Sequence, residues 1–263
     1  MKKIFVVISI LVFAVVGGYV IDSMGPFVSD FDANNFSSED CSIARIDLNG
    51  YLSTYDVYLA PDESGGTPEA STSSDVIVAS LKYIDEDPTI EGVIISVDSG
   101  GGSLVAGEEI SNTLERMDKP SVAVVRDVAA SAAYRAILGA DRIIASANSS
   151  VGSIGVIYSY LETVKKNVEE GLEYREISSG RFKSIGEPSK TLTEEERALI
   201  QRDIDIMNRS FMFAVSNARG IPFETVALLA DGSTMMGLPA LQAGLIDALG
   251  GTDEALDFLS DEI

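Results

Sequence analysis

Three short apolar runs recur along the chain: GVIISV at 92–97, SVAVV at 121–125 and RIIA at 142–145. Between them lie stretches with helical spacing. SDVIVASLKYIDE covers 74–86, and SLVAGEEISNTLERM covers 103–117 with Leu104, Val105, Ile110 and Leu114 near one face. A short helix is expected from about residue 129. Strands apolar on both faces are buried from both sides, and strands alternating with helices imply parallel βαβ units with right-handed crossovers. The fold class is therefore α/β. In such folds, binding and catalytic groups gather where strands end and helices begin.

Around this core the chain is less regular. CSIARIDLNGYL alternates as a half-buried strand does, and Asn49-Gly50 is a turn signal. Residues 61–73 are rich in Ser, Gly, Pro and acids and read as a loop. After residue 157 the chain is expected to be more helical. Thr193 and Glu196 have the spacing of a capping box, opening a long helix to about 218. The C-terminal part, from Pro222 to Gly251, reads as two short helices and a small strand, with no catalytic constellation. Ahead of everything, Lys2 and Lys3 precede eighteen uncharged residues, Ile4 to Ile21. That run is long enough to span a bilayer, with the lysines on the cytoplasmic side. A cleaved signal peptide is the rival, but a small-x-small cleavage site is poorly matched. The expected organisation is an anchor at 1–21, an acidic linker at 22–40 and a domain at 41–263.

Composition removes several chemistries. The chain has no histidine, so a Ser-His-Asp triad and histidine metal sites are excluded. Its single cysteine, Cys41, cannot form an internal disulfide and reads as a buried structural thiol. A formal net charge of −22 disfavours nucleic acid as a partner and suits a soluble surface, including one in a salty medium. No phosphate-binding glycine motif is present. No metal or other cofactor is expected.

Three features could carry chemistry. VDSGGGSL, Val97 to Leu104, leaves a strand for a helix, where glycines let the backbone approach a ligand and exposed N–H groups suit an oxyanion. DVAASAAYRA, Asp127 to Ala136, does the same and carries one hydroxyl, Ser131. SSGRFKSIGEP, Ser178 to Pro188, carries Lys183, which acts as a base only when neutral. Burial and nearby positive charge favour the neutral amine, and Arg181 is the candidate neighbour. Each has a plainer local reading: a flexible turn, a small packing residue, a solvated lysine.

Taken together, VDSGGGS, DVAASAAY, NSSVGSIGVI, SGRFKSIGEP, LTEEER and ADGSTMMGLPALQAGLIDALGG, in that order, resemble signal peptide peptidase A of the short, single-domain type. The resemblance covers roughly residues 41–251. It implies a ClpP/crotonase-like βαβ superhelical fold behind an N-terminal transmembrane helix. It implies a membrane-anchored serine endopeptidase with Ser131 as nucleophile, Lys183 as general base and Ser153 positioning the lysine. Gly101 or Gly102, with Ala132, would supply the oxyanion-hole N–H groups. The expected substrates are remnant signal peptides and other small or apolar peptides, at the outer face of the cell membrane. The resemblance also implies a homo-oligomeric ring with the dyad shared between subunits. A stomatin-associated membrane protease and an inactive, ring-forming peptide-binding protein are the alternatives, and crotonase-type acyl-CoA chemistry is a weaker one. The chain departs from the pattern at three places. Asp98-Ser99-Gly100 replaces Asn-Ser-Pro, Ala132-Ala133 replaces Gly-Gly, and Glu187 brings a negative charge near Lys183.

Overall fold

The computed structural model describes residues 42–55 and 71–263. The expected anchor, the linker and Cys41 lie outside these residues, as does most of the 61–73 loop. Among the described residues no helix is long and apolar enough to cross a membrane.

Six strands form one parallel path. β1 (Ile43–Ser53), β2 (Ser71–Ser73), β3 (Gly92–Gly102), β4 (Ser121–Ala130), β5 (Arg142–Ala145) and β8 (Ala248–Leu249) lie in the order β2-β1-β3-β4-β5-β8. Successive side chains of a strand point to opposite faces, and the core divides accordingly. Val93, Ile95, Val97, Ala123, Val125 and Ile143 meet helices α1 (Ser74–Glu86), α2 (Leu104–Leu114) and α3 (Ala132–Ile137) on one face. Ile94, Val122, Val124 and Ile144 meet Ala255 and Leu259 of α8 (Thr252–Glu262) on the other. Covering both faces is why β3, β4 and β5 bury apolar residues at successive positions.

Strand β4 changes partner along its length. Val122–Val125 pair with β5, and Val128–Ala130 pair with β6 (Ser150–Gly152). A last strand, β7 (Thr234–Met236), runs antiparallel to β6. The expected α/β architecture is present, with two local differences. Asn49-Gly50 does not end β1: the strand continues to Ser53 through a register shift, with Gly50 at φ 68°. The pairing with β6 also holds Asp127–Ala130 as strand, so the helix expected from about 129 starts at Ala132. Alanine's helical preference is weak beside a ladder of backbone hydrogen bonds.

Beyond β6 the chain leaves the core as an arm. Residues 157–192 are mostly exposed, including Ile157, Leu161 and Ile177, and their one helix, α4 (Val164–Glu169), buries no residue. The helical character expected after 157 begins properly only at α5 (Glu194–Arg219). The capping box is formed: Thr193 Oγ1 accepts the Glu196 N–H, and Glu196 accepts the Thr193 N–H. Only Glu196, Phe211 and Val215 of α5 are buried, so its first half stands away from the sheet. Its C-terminal end is tied down by Arg219, whose guanidinium grips both Asp247 carboxylate oxygens.

Tyr134, on the helix after Ser131, is fully buried and donates its hydroxyl to the Leu245 carbonyl at 2.8 Å. Tyr134→Phe leaves that carbonyl without a partner, at a cost of about 1–2 kcal/mol. The expected outcome is a fall of a few degrees in thermal midpoint, read by calorimetry, with the far-ultraviolet spectrum unchanged.

Candidate active site

Ser131 stands where β4 stops and α3 begins. Its backbone is at φ 53°, ψ −125°. Among the described non-glycine residues only Ser153, at φ 52°, shares the sign. Such a conformation costs about 1–3 kcal/mol and persists only where the surroundings enforce it. Here the Ser131 N–H donates to the Gly152 carbonyl at 2.8 Å, and the Ser131 carbonyl accepts the Arg135 N–H at 3.0 Å. A serine on a sharp strand-to-helix turn presents its hydroxyl clear of the sheet. Ser131 is accordingly half-buried, while Ala129, Ala130 and every residue from Ala132 to Ala140 are buried. Ala132 itself is helical, so it needs no positive φ; the strained position falls one residue earlier, on Ser131. As the first helical residue, Ala132 carries an N–H with no intrahelical acceptor.

The glycine run packs directly on this turn. It ends β3 rather than forming a loop. Gly101 has φ 108°, and a Cβ there would come within 2.8 Å of the Ala130 carbonyl oxygen and 2.9 Å of the Ser131 Cβ. Ser99, buried at 1% exposure, organises the run. Its Oγ accepts the Gly101 N–H at 3.1 Å and donates to the Gly50 carbonyl at the β1 bulge. The Ser of the glycine motif was readable; its tie to a bulge on another strand was not.

Ser153 is brought alongside. β4 and β6 pair with Ala130 opposite Gly152, so Ser131 and Ser153 each follow the last register pair, on neighbouring strands. Neighbouring strands lie about 4.8 Å apart. Ser153 donates its N–H to the Ser233 carbonyl at 2.9 Å and its Oγ–H to the Gly232 carbonyl at 3.0 Å. The C-terminal part, which shows no constellation in sequence, therefore reaches the site through this turn. Its Asp-Gly-Ser composition is a turn signal, but nothing local to it points at Ser153.

Lys183 is placed differently. It sits in an exposed turn of the arm, its N–H donating to the Gly180 carbonyl at 3.1 Å. Among the described residues, no hydrogen bond joins it to Ser131 or Ser153. Arg181, expected beside it, pairs with Glu195 and lies 5.0 Å above the Phe182 ring. Glu187 accepts the Ser189 N–H instead of meeting Lys183. Thus Ser131, Ser153, Ala132 and the glycine run come together within one chain, and among the described residues no hydrogen bond ties Lys183 to them. The turn that carries it is nevertheless anchored. Ser184 donates to Glu176, and Lys190 binds Glu196 at 2.7 Å with Glu176 at 4.0 Å. The Lys190 ammonium, followed by the Thr193 N–H, holds Glu196 below the usual carboxylate range, and Glu196 in turn pushes Lys190 up. Among the described residues no cluster of acids suits a metal.

Residues 113–262 match the model of peptidase family S49. A protein of Methanocaldococcus jannaschii named for a protease role is 28% identical over 97% of this chain and 81% of its own length. A protein of Enterococcus faecium named for signal peptide peptidase A is 32% identical over 69% of this chain and 54% of its own. In the solved structure of a ClpP1 mutant from Listeria monocytogenes, similarity covers 81% of this chain and 94% of that one, at TM-score 0.49 and 12% identity.

Two outcomes are expected. Gly101→Ala costs about 1–3 kcal/mol in urea unfolding, whereas Gly100→Ala, with open space around it, is neutral within about 0.5 kcal/mol. The Lys190–Glu196 pair contributes fully between roughly pH 4.3 and 10.4. Its contribution falls away as pH drops through the lowered Glu196 value or rises through the raised Lys190 value. Lys190→Met therefore speeds proteolytic nicking of 157–192 at pH 7, and the gap from the unmodified chain narrows below about pH 4.

Proposed function

The chain belongs to peptidase family S49, a family of serine peptidases, and from that premise we propose a Ser-Lys endopeptidase that uses Ser131 as nucleophile and Lys183 as base. The observation that carries the reading is the strained Ser131 turn, closed beneath Gly101 and hydrogen-bonded to Gly152. Backbone strain of this kind is a cost to the fold, and function is its usual reason.

Neutral Lys183 takes the Ser131 hydroxyl proton as Oγ attacks the peptide carbonyl. Two N–H groups then hold the tetrahedral oxyanion. Ala132 opens a helix and offers one. Gly101 already donates to Ser99, which leaves Gly102 as the glycine donor. Losing one such donor typically costs a factor of about 10²–10³. The lysine proton passes to the leaving amine, and the acyl group stays on Ser131. Water, deprotonated by Lys183, releases the acid and restores the serine.

Within a protomer Lys183 is remote from hydrogen bonding with Ser131, so the dyad is completed between neighbouring copies of the chain. The apolar side chains of the arm support this, as do the exposed Ile206, Met207 and Phe213 of α5. An open groove of about 840 Å³ lined by Arg202, Ile206, Arg209 and Phe213 offers a place for a neighbouring copy. Desolvation in such an interface is also what a neutral lysine needs. The uncharged run at 4–21 would hold the assembly in the cell membrane with its catalytic domain outside, among cleaved signal peptides and other small or apolar peptides. Lys183, exposed and without an ion-pair partner among the described residues, favours one second reading, a ring that binds peptides without cutting them.

Ser131→Ala and Lys183→Ala are each expected to abolish hydrolysis of peptide esters. Co-assembly of the two inactive variants restores part of the activity, because some interfaces then combine an intact serine with an intact lysine. No recovery on mixing would place the dyad within one chain. Failure of a fluorophosphonate to label Ser131 in the assembled protein would favour the binding ring.

A further inference from the structure

The Asp231–Ser233 turn is built around Ser153. Asp231 Oδ1 accepts both the N–H of Ser233, at 2.8 Å, and its Oγ–H, at 2.6 Å. Hydrogen bonds to a carboxylate are stronger than neutral ones, and they hold the Asp231 carboxyl below its usual range. The turn so fixed aims two carbonyls at one residue. The Ser233 carbonyl takes the Ser153 N–H, and the Gly232 carbonyl takes the Ser153 Oγ–H. A third bond, from the Gly232 N–H to the Ile154 carbonyl at 3.2 Å, closes the pair of segments on each other. The antiparallel pairing of Gly152 with Thr234 fixes the turn's distance from the site.

The chemistry of Ser153 follows. A hydroxyl has one proton to donate and lone pairs to accept with. Gly232 takes the proton, so Ser153 presents only acceptor capacity to the site. An acceptor with a fixed direction suits the N–H groups of an amine and leaves the amine's lone pair free for the Ser131 proton. We infer that Asp231 is a positioning residue, which orients Ser153 as an obligate acceptor for the catalytic amine by locking the Gly232 and Ser233 carbonyls. It rests on the Ser131–Lys183 reading and assigns that site a further part. Asp231 is exposed and lies 48 residues in sequence from Lys183, the nearest residue named in the reaction.

The test uses the full chain. Asp231→Ala and Asp231→Asn are made with Ser153 intact and in a Ser153→Ala background. Hydrolysis of a peptide ester and the rate of Ser131 modification by a fluorophosphonate are both read. Asp231→Ala is expected to lower kcat and the modification rate roughly three- to tenfold, the worth of one or two hydrogen bonds, with KM unchanged. Asp231→Asn, whose amide oxygen still accepts from Ser233, recovers most of the loss. In the Ser153→Ala background Asp231→Ala costs nothing more. Ser233→Ala keeps both carbonyls and removes one bond to Asp231; it gives a smaller loss, also confined to chains with Ser153, and serves if Asp231→Ala does not fold. An equal loss with and without Ser153 overturns the inference while leaving the Ser131 assignment intact. Undiminished hydrolysis by Ser131→Ala overturns the assignment and the inference together.

Discussion

The site depends on one strand changing partners. The first half of β4 is an ordinary member of a buried parallel sheet, and the second half pairs with β6. That exchange ends two neighbouring strands at the same level. Each continues through a serine forced to positive φ. Backbone hydrogen bonds between the two strands make the strained turn at Ser131 cheaper than any relaxed alternative that would break them. Without the pairing, the alanine-rich stretch would be free to follow its helical preference, and Ser131 would be one small residue among others in a packed helix.

The parts legible in sequence were those set by local pattern. Apolar runs bounded by helical spacing located β3, β4 and β5, and the Thr193–Glu196 spacing located the start of α5. The glycine run and Ser131 were visible as strand-to-helix transitions, and the order of motifs linked them to one family. What escaped was set by distant partners. Nothing near Asn49-Gly50 says that β1 runs on past it, because the reason is Ser99 on another strand. Nothing in Asp231-Gly232-Ser233 says that its carbonyls face Ser153, 79 residues away. Arg181 and Glu187 were assigned to Lys183 by proximity in sequence, and in space each has another partner.

The protein has two physical regimes. β3, β5 and the first half of β4 bury their apolar side chains, whereas the arm leaves Ile157, Leu161, Val168, Leu172 and Ile177 exposed and α5 leaves Ile206 exposed. With a net charge of −22, neighbouring molecules repel one another at long range, and the repulsion weakens as salt screens it. In the proposed assembly, association through the arm then has to come from short-range contact between apolar surfaces. Lys190, Glu176 and Glu196 tie the C-terminal end of the arm to the start of α5.

The clamp on Ser153 also has a place in time. Proteins are made from the N-terminus, and early parts fold as they emerge. Ser131, Ser153 and the glycine run leave the ribosome well before the turn that orients Ser153 and before Ala255 and Leu259, which cover the second face of the sheet. On the proposed reading, a growing chain thus holds Ser131 for a while without the turn that orients Ser153. In the proposed mechanism the C-terminal part therefore completes the site last, after the nucleophile itself is in place.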